Sequence, residues 1–180
     1  MWTYVILAIV WAAIIFKWLV PVIRKRIACE IYEAIGLGGF FTLLVLGIGG
    51  QLSYHHILSL RIIGFILYLP AAFFVFSAFA NLKGRGKPEN GWEETTVVID
   101  QGIFRLVRHP LYLGTAIWTV AVIFLFPSVS SIILGVACIF CFGMASRKED
   151  RFNLEKFGEP YRRYMQKVPR WNFFQTLGRR

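Results

Sequence analysis

The 180-residue sequence predicts an all-α integral membrane protein with five transmembrane helices, the last two forming a short helical hairpin. Three observations carry that prediction. Hydrophobic residues make up 57% of the chain and charged residues only 17%, with a mean hydropathy of +0.58. The apolar residues come in runs near the length needed to cross a bilayer, about 20 residues for a helix. The basic residues are gathered into a few segments between those runs, which is how membrane topology sorts charge.

The first apolar run, Met1 to Ile23, has neither a basic start nor a small-residue cleavage site, so it reads as a retained span rather than a removable signal. The second extends from Ala28 to Gly50 and the third from Ile57 to Ala80, with Pro70 expected to kink it. The fourth starts at Pro110, whose missing N–H suits the first turn of a helix, and reaches Phe126. Pro127-Ser128-Val129-Ser130 then turns the chain into a fifth run, Ser131 to Ala145. The last two runs are short for full spans and closely joined, hence the hairpin.

A single domain is expected over residues 1–180, with a three-helix part (1–82) followed by a loop, hairpin and C-terminal helix (83–180). Of the 20 Lys and Arg, 18 fall at Arg24–Arg26, Lys83–Arg108 and Arg147–Arg180. A five-helix chain puts these three segments on one side, and the positive-inside rule makes that side cytoplasmic, with the N-terminus outside. The net charge of +10 is thereby explained by topology. No nucleic-acid module accompanies it, so nucleic acid is not an expected partner. Anionic membrane lipids are expected at the basic face.

Several patterns read as packing. Cys138 and Cys141 are two small apolar residues at i and i+3 of a helix, with no second pair to complete a metal site, and no metal is expected. The glycines at 36, 38, 39, 47, 49 and 50 lie within an apolar helix with no preceding strand, where close helix approach explains them better than a dinucleotide loop. His55 and His56 lie on the side opposite the basic segments and are given no role.

Chemistry concentrates in two polar stretches. The first ends in Arg108-His109-Pro110-Leu111-Tyr112-Leu113-Gly114; upstream of it, Thr95 to Ile99 favour an extended piece leading to a turn at Gly102. The second begins with Arg147-Lys148-Glu149-Asp150 and carries Phe157-Gly158-Glu159-Pro160-Tyr161-Arg162-Arg163-Tyr164, with Phe157, Tyr161 and Tyr164 on one helix face. A cation, an imidazole and two carboxylates stand where apolar helices meet water, and ionisable groups there are costly enough to mark a functional site. The bland alternatives are headgroup anchoring for Arg108, a belt position for Tyr112, and solvated helix-end charges for Glu149 and Asp150.

Gly102 to Gly114, the pair Glu149-Asp150 and Phe157-Gly158-Glu159-Pro160-Tyr161, taken together in this order, resemble the isoprenylcysteine carboxyl methyltransferase family, which is related to the membrane phospholipid N-methyltransferases. The similarity covers roughly residues 80 to 170. It implies an integral membrane enzyme that uses S-adenosylmethionine in a cytoplasmic pocket and takes a lipophilic acceptor from the bilayer, foremost the carboxylate of a prenylcysteine-like molecule. Cofactor contacts carried over by the resemblance fall on Thr96, Val97, Val98, Ile99, Phe104, His109, Pro110, Leu111, Tyr112 and Glu149; Arg108 joins them by residue type, and Arg147 and Glu149 are the expected catalytic residues. The chain departs from the family with Phe104 for the usual Tyr, Asp150 for the usual Glu, and Ala145 where eukaryotic-type enzymes place a substrate-binding Arg, of which Arg147 is the nearest replacement.

The residue types suit that chemistry independently. A sulfonium and an ammonium call for carboxylates or aromatic faces, and a donor carboxylate calls for a cation or a helix N-terminus. A carboxylate acceptor is already a nucleophile, whereas a lipid amine must first lose a proton, for which His109 or Glu149 would serve. Two other classes compete with O- or N-methylation: an NADPH-dependent membrane reductase and a non-catalytic scaffold or transporter.

Overall fold

A computed structural model describes residues 2–19, 28–52, 56–87 and 95–177. Helix α1 (Trp2–Ile14) runs into a π-helical turn at Ile15–Leu19; α2 covers Ala28–Ile48 and α3 Leu58–Arg85. A 3-10 turn at Gly102–Arg105 precedes α4 (Pro110–Leu125), α5 (Val129–Phe157), α6 (Glu159–Lys167) and the short α7 (Phe173–Leu177). There is no strand among the described residues. Helix α4 packs chiefly on α3 and α2 on α5, with α4 against α5 closing the bundle and α1 lying along α2.

Among the described residues, three helical segments are long and apolar enough to cross a membrane: Cys29–Ile48, Leu58–Arg85 and Val129–Phe157. Trp2–Lys17 and Pro110–Leu125 are apolar but shorter. Of the expected first span, Met1 and residues 20–23 lie outside the described residues, as do Arg24–Arg26 and His55. Helix α3 continues unbroken through Pro70 and ends at Arg85 rather than Ala80.

The hairpin differs from expectation in its second arm. Rather than stopping at Ala145, α5 is a 29-residue helix that carries its charged end out to Phe157. Nothing between Ala145 and Gly158 breaks a helix, and Arg, Lys and Glu propagate one well. Its start is fixed by reciprocal bonds: Ser131 N–H donates to Ser128 Oγ at 3.1 Å, and Ser128 N–H to Ser131 Oγ at 3.0 Å. Its end is Gly158, at φ 62°, a conformation that costs glycine little. Pro160 restarts the chain as α6, folded back along the charged end of α5.

Bilayer-facing helices gain little from hydrophobicity when they associate, so close contact decides their packing. A Cβ on Gly36 would stand 2.7 Å from the ring of Phe142, and one on Gly39 2.5 Å from Cys138 Sγ. These glycines let α2 seat on α5, which bears out the packing reading of the first glycine group. The central core comprises Phe40 and Leu43 of α2, Tyr112, Ala116 and Val122 of α4, and Cys138 and Phe142 of α5. A second core joins Phe74 and Ala78 of α3 to Ile99, Ile103, Phe104 and Val107. The segment before the turn at Gly102 is irregular, with its apolar side chains spent on that core and on the tyrosines of α6.

Candidate functional site

The starts of α2 and α4 and the ends of α3 and α5 meet at one end of the bundle. There Tyr112 Oη donates to Glu33 Oε2 at 3.1 Å, Arg85 Nη1 to Gln101 Oε1 at 3.3 Å, and Lys156 Nζ to the Thr95 carbonyl at 2.7 Å. His109 is the residue preceding α4, and its carbonyl accepts from Leu113 N–H at 3.1 Å. Its side chain makes no capping bond to α4 and turns toward α5 instead.

What it meets is Asp150. This carboxylate is 3% exposed and is met by six side-chain nitrogens or hydroxyls on four residues. Arg108 donates through Nε to Oδ1 at 3.2 Å and through Nη2 to Oδ2 at 3.1 Å. His109 Nε2 lies 2.8 Å and Tyr161 Oη 2.9 Å from Oδ1, and Arg170 Nε lies 2.8 Å from Oδ2. A buried carboxylate is tolerable only with such satisfaction of its lone pairs.

The same residues strap the tail to the bundle. Arg108 Nη1 reaches the carbonyls of Met165 (2.9 Å) and Val168 (2.5 Å) at the end of α6, where a cation also complements the helix dipole. Backbone N–H groups of Arg108 and His109 donate to the carbonyls of Pro169 and Arg170. Tyr164 Oη donates to the Phe104 carbonyl at 2.7 Å.

Burial alone would lower the His109 pKa, but its bonds to Asp150 and then Glu149 prevail and raise it above the usual imidazole value. The ring faces two carboxylates, and their charge favours its protonated form. Burial pushes both Tyr161 and Tyr164 well above the ordinary phenol range, so each remains a donor.

A second polar group lies on the other edge of the imidazole. Glu149 Oε2 is 3.6 Å from His109 Nδ1, and the Glu149 side chain is 35% exposed. The ring of Tyr112 stands 5.8 Å from that of His109, and its hydroxyl is the one that meets Glu33. His109 thus divides the site: Nε2 belongs to a closed ionic knot, and Nδ1 faces an accessible carboxylate.

Of the residues singled out in the sequence, Arg108, His109, Tyr112 and Glu149 come together here. Pro110 is buried at the start of α4, and Leu111 leans on the second core. Phe104 and Ile99 are buried in that core, while Val98 packs on Tyr161 and Tyr164. Val97 is partly buried, and Thr96 is exposed, its hydroxyl donating to the Lys87 carbonyl at 3.0 Å. None of the stretch 96–99 has a polar side chain turned to His109, because its β-branched residues are used as filling.

Arg147 stands apart from Glu149. At about 100° per residue the two point some 200° apart around α5, and Arg147 is exposed along a cleft shared with Trp171 and Gln175. The expected catalytic pair is therefore not brought together. Sequence reasoning missed Glu33 and Arg170, gave Tyr161 a place on one helix face with Phe157 and Tyr164 and no partner, and named Glu149 but not Asp150 among the catalytic and cofactor-binding residues. Glu30 and Glu33 did carry a signal, as two carboxylates in the opening of an apolar helix.

The described helices account for a membrane protein, and one comparison adds a family. The model of the NnrU protein family matches residues 34–177. The chain belongs to the NnrU family. No curated protein and no solved structure matches it. The NnrU match starts one residue after Glu33 and takes in α3 to α7, so Arg108, His109, Tyr112, Glu149, Asp150, Tyr161 and Arg170 all lie within the NnrU region.

Proposed function

We propose that this NnrU-family membrane protein is an S-adenosylmethionine-dependent methyltransferase acting on a lipophilic acceptor at the basic end of its bundle. The observation that carries the proposal is the accessible carboxylate of Glu149 facing His109 Nδ1 beside Tyr112 and Glu33. These are the groups that the resemblance to the isoprenylcysteine methyltransferases singles out, with Glu33 added.

The donor's chemistry fits them. Glu149, Glu33 and the face of Tyr112 suit its ammonium and sulfonium. The start of α4, which His109 leaves without a side-chain cap, suits its carboxylate. When bound, the donor supplies an electrophilic methyl group; the protein's work is to align the acceptor and exclude water. Asp150, with Arg108, Arg170 and Tyr161, holds His109 in place and keeps its other nitrogen turned to Glu149.

The resemblance implies a carboxylate acceptor. One observation favours a lipid amine as the second reading: Arg108 and Arg170 are committed to Asp150 and Arg147 points away, so the nearest groups to an acceptor are carboxylates. Glu149 would bind an ammonium and take its proton, leaving the neutral amine as nucleophile. In the membrane, α1 and α4 serve as short crossings beside the three long helices. The basic end is then cytoplasmic and the N-terminus outside.

Transfer of an isotopically labelled methyl group from S-adenosylmethionine to a lipid extract tests this in nanodiscs. Label is expected in the lipid fraction with wild type and not with Glu149→Gln. Release of the label as methanol in base identifies an ester, and its retention identifies an amine. Absence of transfer and of donor binding by folded protein contradicts the methyltransferase reading.

A further inference from the structure

The cleft that holds Arg147 lies on the far side of the Asp150 knot from Glu149, between α5 and the segment that follows α6, and has a volume of about 630 Å³. Its α5 wall is Gly143, Ser146 and Arg147, and its other wall includes Arg170, Trp171 and Gln175. Arg147 is exposed and has no side-chain partner among the described residues. Arg170 spends Nε and Nη2 on Asp150 and keeps Nη1, with its side chain 36% exposed. The indole N–H of Trp171 is buried without a hydrogen-bond partner, an unusual condition for an indole. Two cationic donors and an amide, beside the ring of Trp171, thus line one concavity.

What lies below it on α5 is apolar. Val129, Ile133, Val136 and Phe140 are all exposed and, at 100° per residue, share the helix face of Gly143 and Arg147. The stripe runs from the turn at Ser128 to the mouth of the cleft, so the cleft opens where the helix leaves its apolar run.

We propose that this cleft seats the phosphate headgroup of an anionic bilayer lipid, with an acyl chain laid along the Val129–Phe140 stripe. Arg147 and Arg170 Nη1 supply charge-assisted hydrogen bonds to phosphate oxygens. Gly143 leaves room beside Arg147 for the glycerol backbone. The site is independent of the methyl-transfer reading and stands if that reading fails.

Native mass spectrometry of protein released from nanodiscs tests it, with phosphatidylglycerol and phosphatidylcholine in equal amounts. Wild type is expected to retain one phosphatidylglycerol in preference to phosphatidylcholine. Arg147→Gln should weaken that retention roughly tenfold, the effect of losing one charge-assisted bond. Arg162→Gln, which removes an exposed cation on α6, should leave it unchanged. Equal retention of the two lipids, or equal losses in the two variants, overturns the proposal in favour of general adsorption to a basic face. Displacement of the lipid by millimolar inorganic phosphate overturns it in favour of a free-anion site.

Discussion

His109 and Asp150, 41 residues apart in the chain, meet through Nε2 and Oδ1 at 2.8 Å with both side chains only 3% exposed. That contact joins the start of α4 to the charged end of α5, and it separates a buried carboxylate from an accessible one. Asp150 is surrounded by donors from Arg108, Tyr161 and Arg170, whereas its neighbour Glu149 faces His109 and remains accessible.

The two acids therefore respond differently to neutralisation. Asp150→Asn leaves two guanidinium groups and the His109 ring around a buried amide, and breaking a buried pair in this way costs about 3–5 kcal/mol. Glu149→Gln removes a partly exposed carboxylate and is expected to cost about 1 kcal/mol or less. Unfolding in a graded denaturant series, in one detergent, gives both values.

Stability should fall as the solution becomes more alkaline. The folded-state pKa of His109 lies above the free imidazole value of 6.5. Its contribution is thus fully present below about 6.5 and is lost as pH rises through the raised folded value. Wild type is expected to lose stability from pH 6 to pH 9 with a slope that His109→Gln lacks. Parallel curves for the two proteins would show that the imidazole gains nothing from its carboxylates.

Arg108→Lys should loosen the tail. The guanidinium serves Asp150 and the Met165 and Val168 carbonyls at once, and a lysine ammonium cannot reproduce that fork. A loss of about 2 kcal/mol is expected, in keeping with hydrogen bonds to charged groups. Faster amide hydrogen exchange at residues 165–170 would locate the effect.

Gly36→Val tests the seat of α2 on α5. The added Cβ would meet the buried ring of Phe142 at 2.7 Å, and overpacking of this kind costs about 1–3 kcal/mol. Thermal denaturation compares it with Gly84→Val, where a Cβ meets nothing within 4 Å.

Much of the bundle was legible in the sequence because apolar run length and charge segregation report directly on bilayer crossing. Pro110 and the turn before Ser131 placed the hairpin for local reasons that no tertiary contact overrides. The end of α5 was misjudged because hydropathy stops at Ala145 while helix propensity does not. In the site, Arg108, His109, Tyr112 and Glu149 stood out as ionisable or aromatic groups at the ends of apolar runs. Asp150 was undervalued because its donors Tyr161 and Arg170 reach it only after Gly158 reverses the chain, a return that spacing does not reveal. The separation of Arg147 from Glu149 was available from helical geometry alone, since two residues along a helix point to nearly opposite sides.

The most direct test of the account is calorimetric binding of S-adenosylmethionine to wild type, Glu149→Gln and Asp150→Asn in nanodiscs, with NADPH as control. The account predicts binding by wild type that Glu149→Gln weakens about tenfold or more while its unfolding midpoint stays near wild type, the fold corresponding to one lost charge-assisted bond. Equal affinity in wild type and Glu149→Gln, NADPH binding in place of the methyl donor, or no binding at all by folded protein would contradict it.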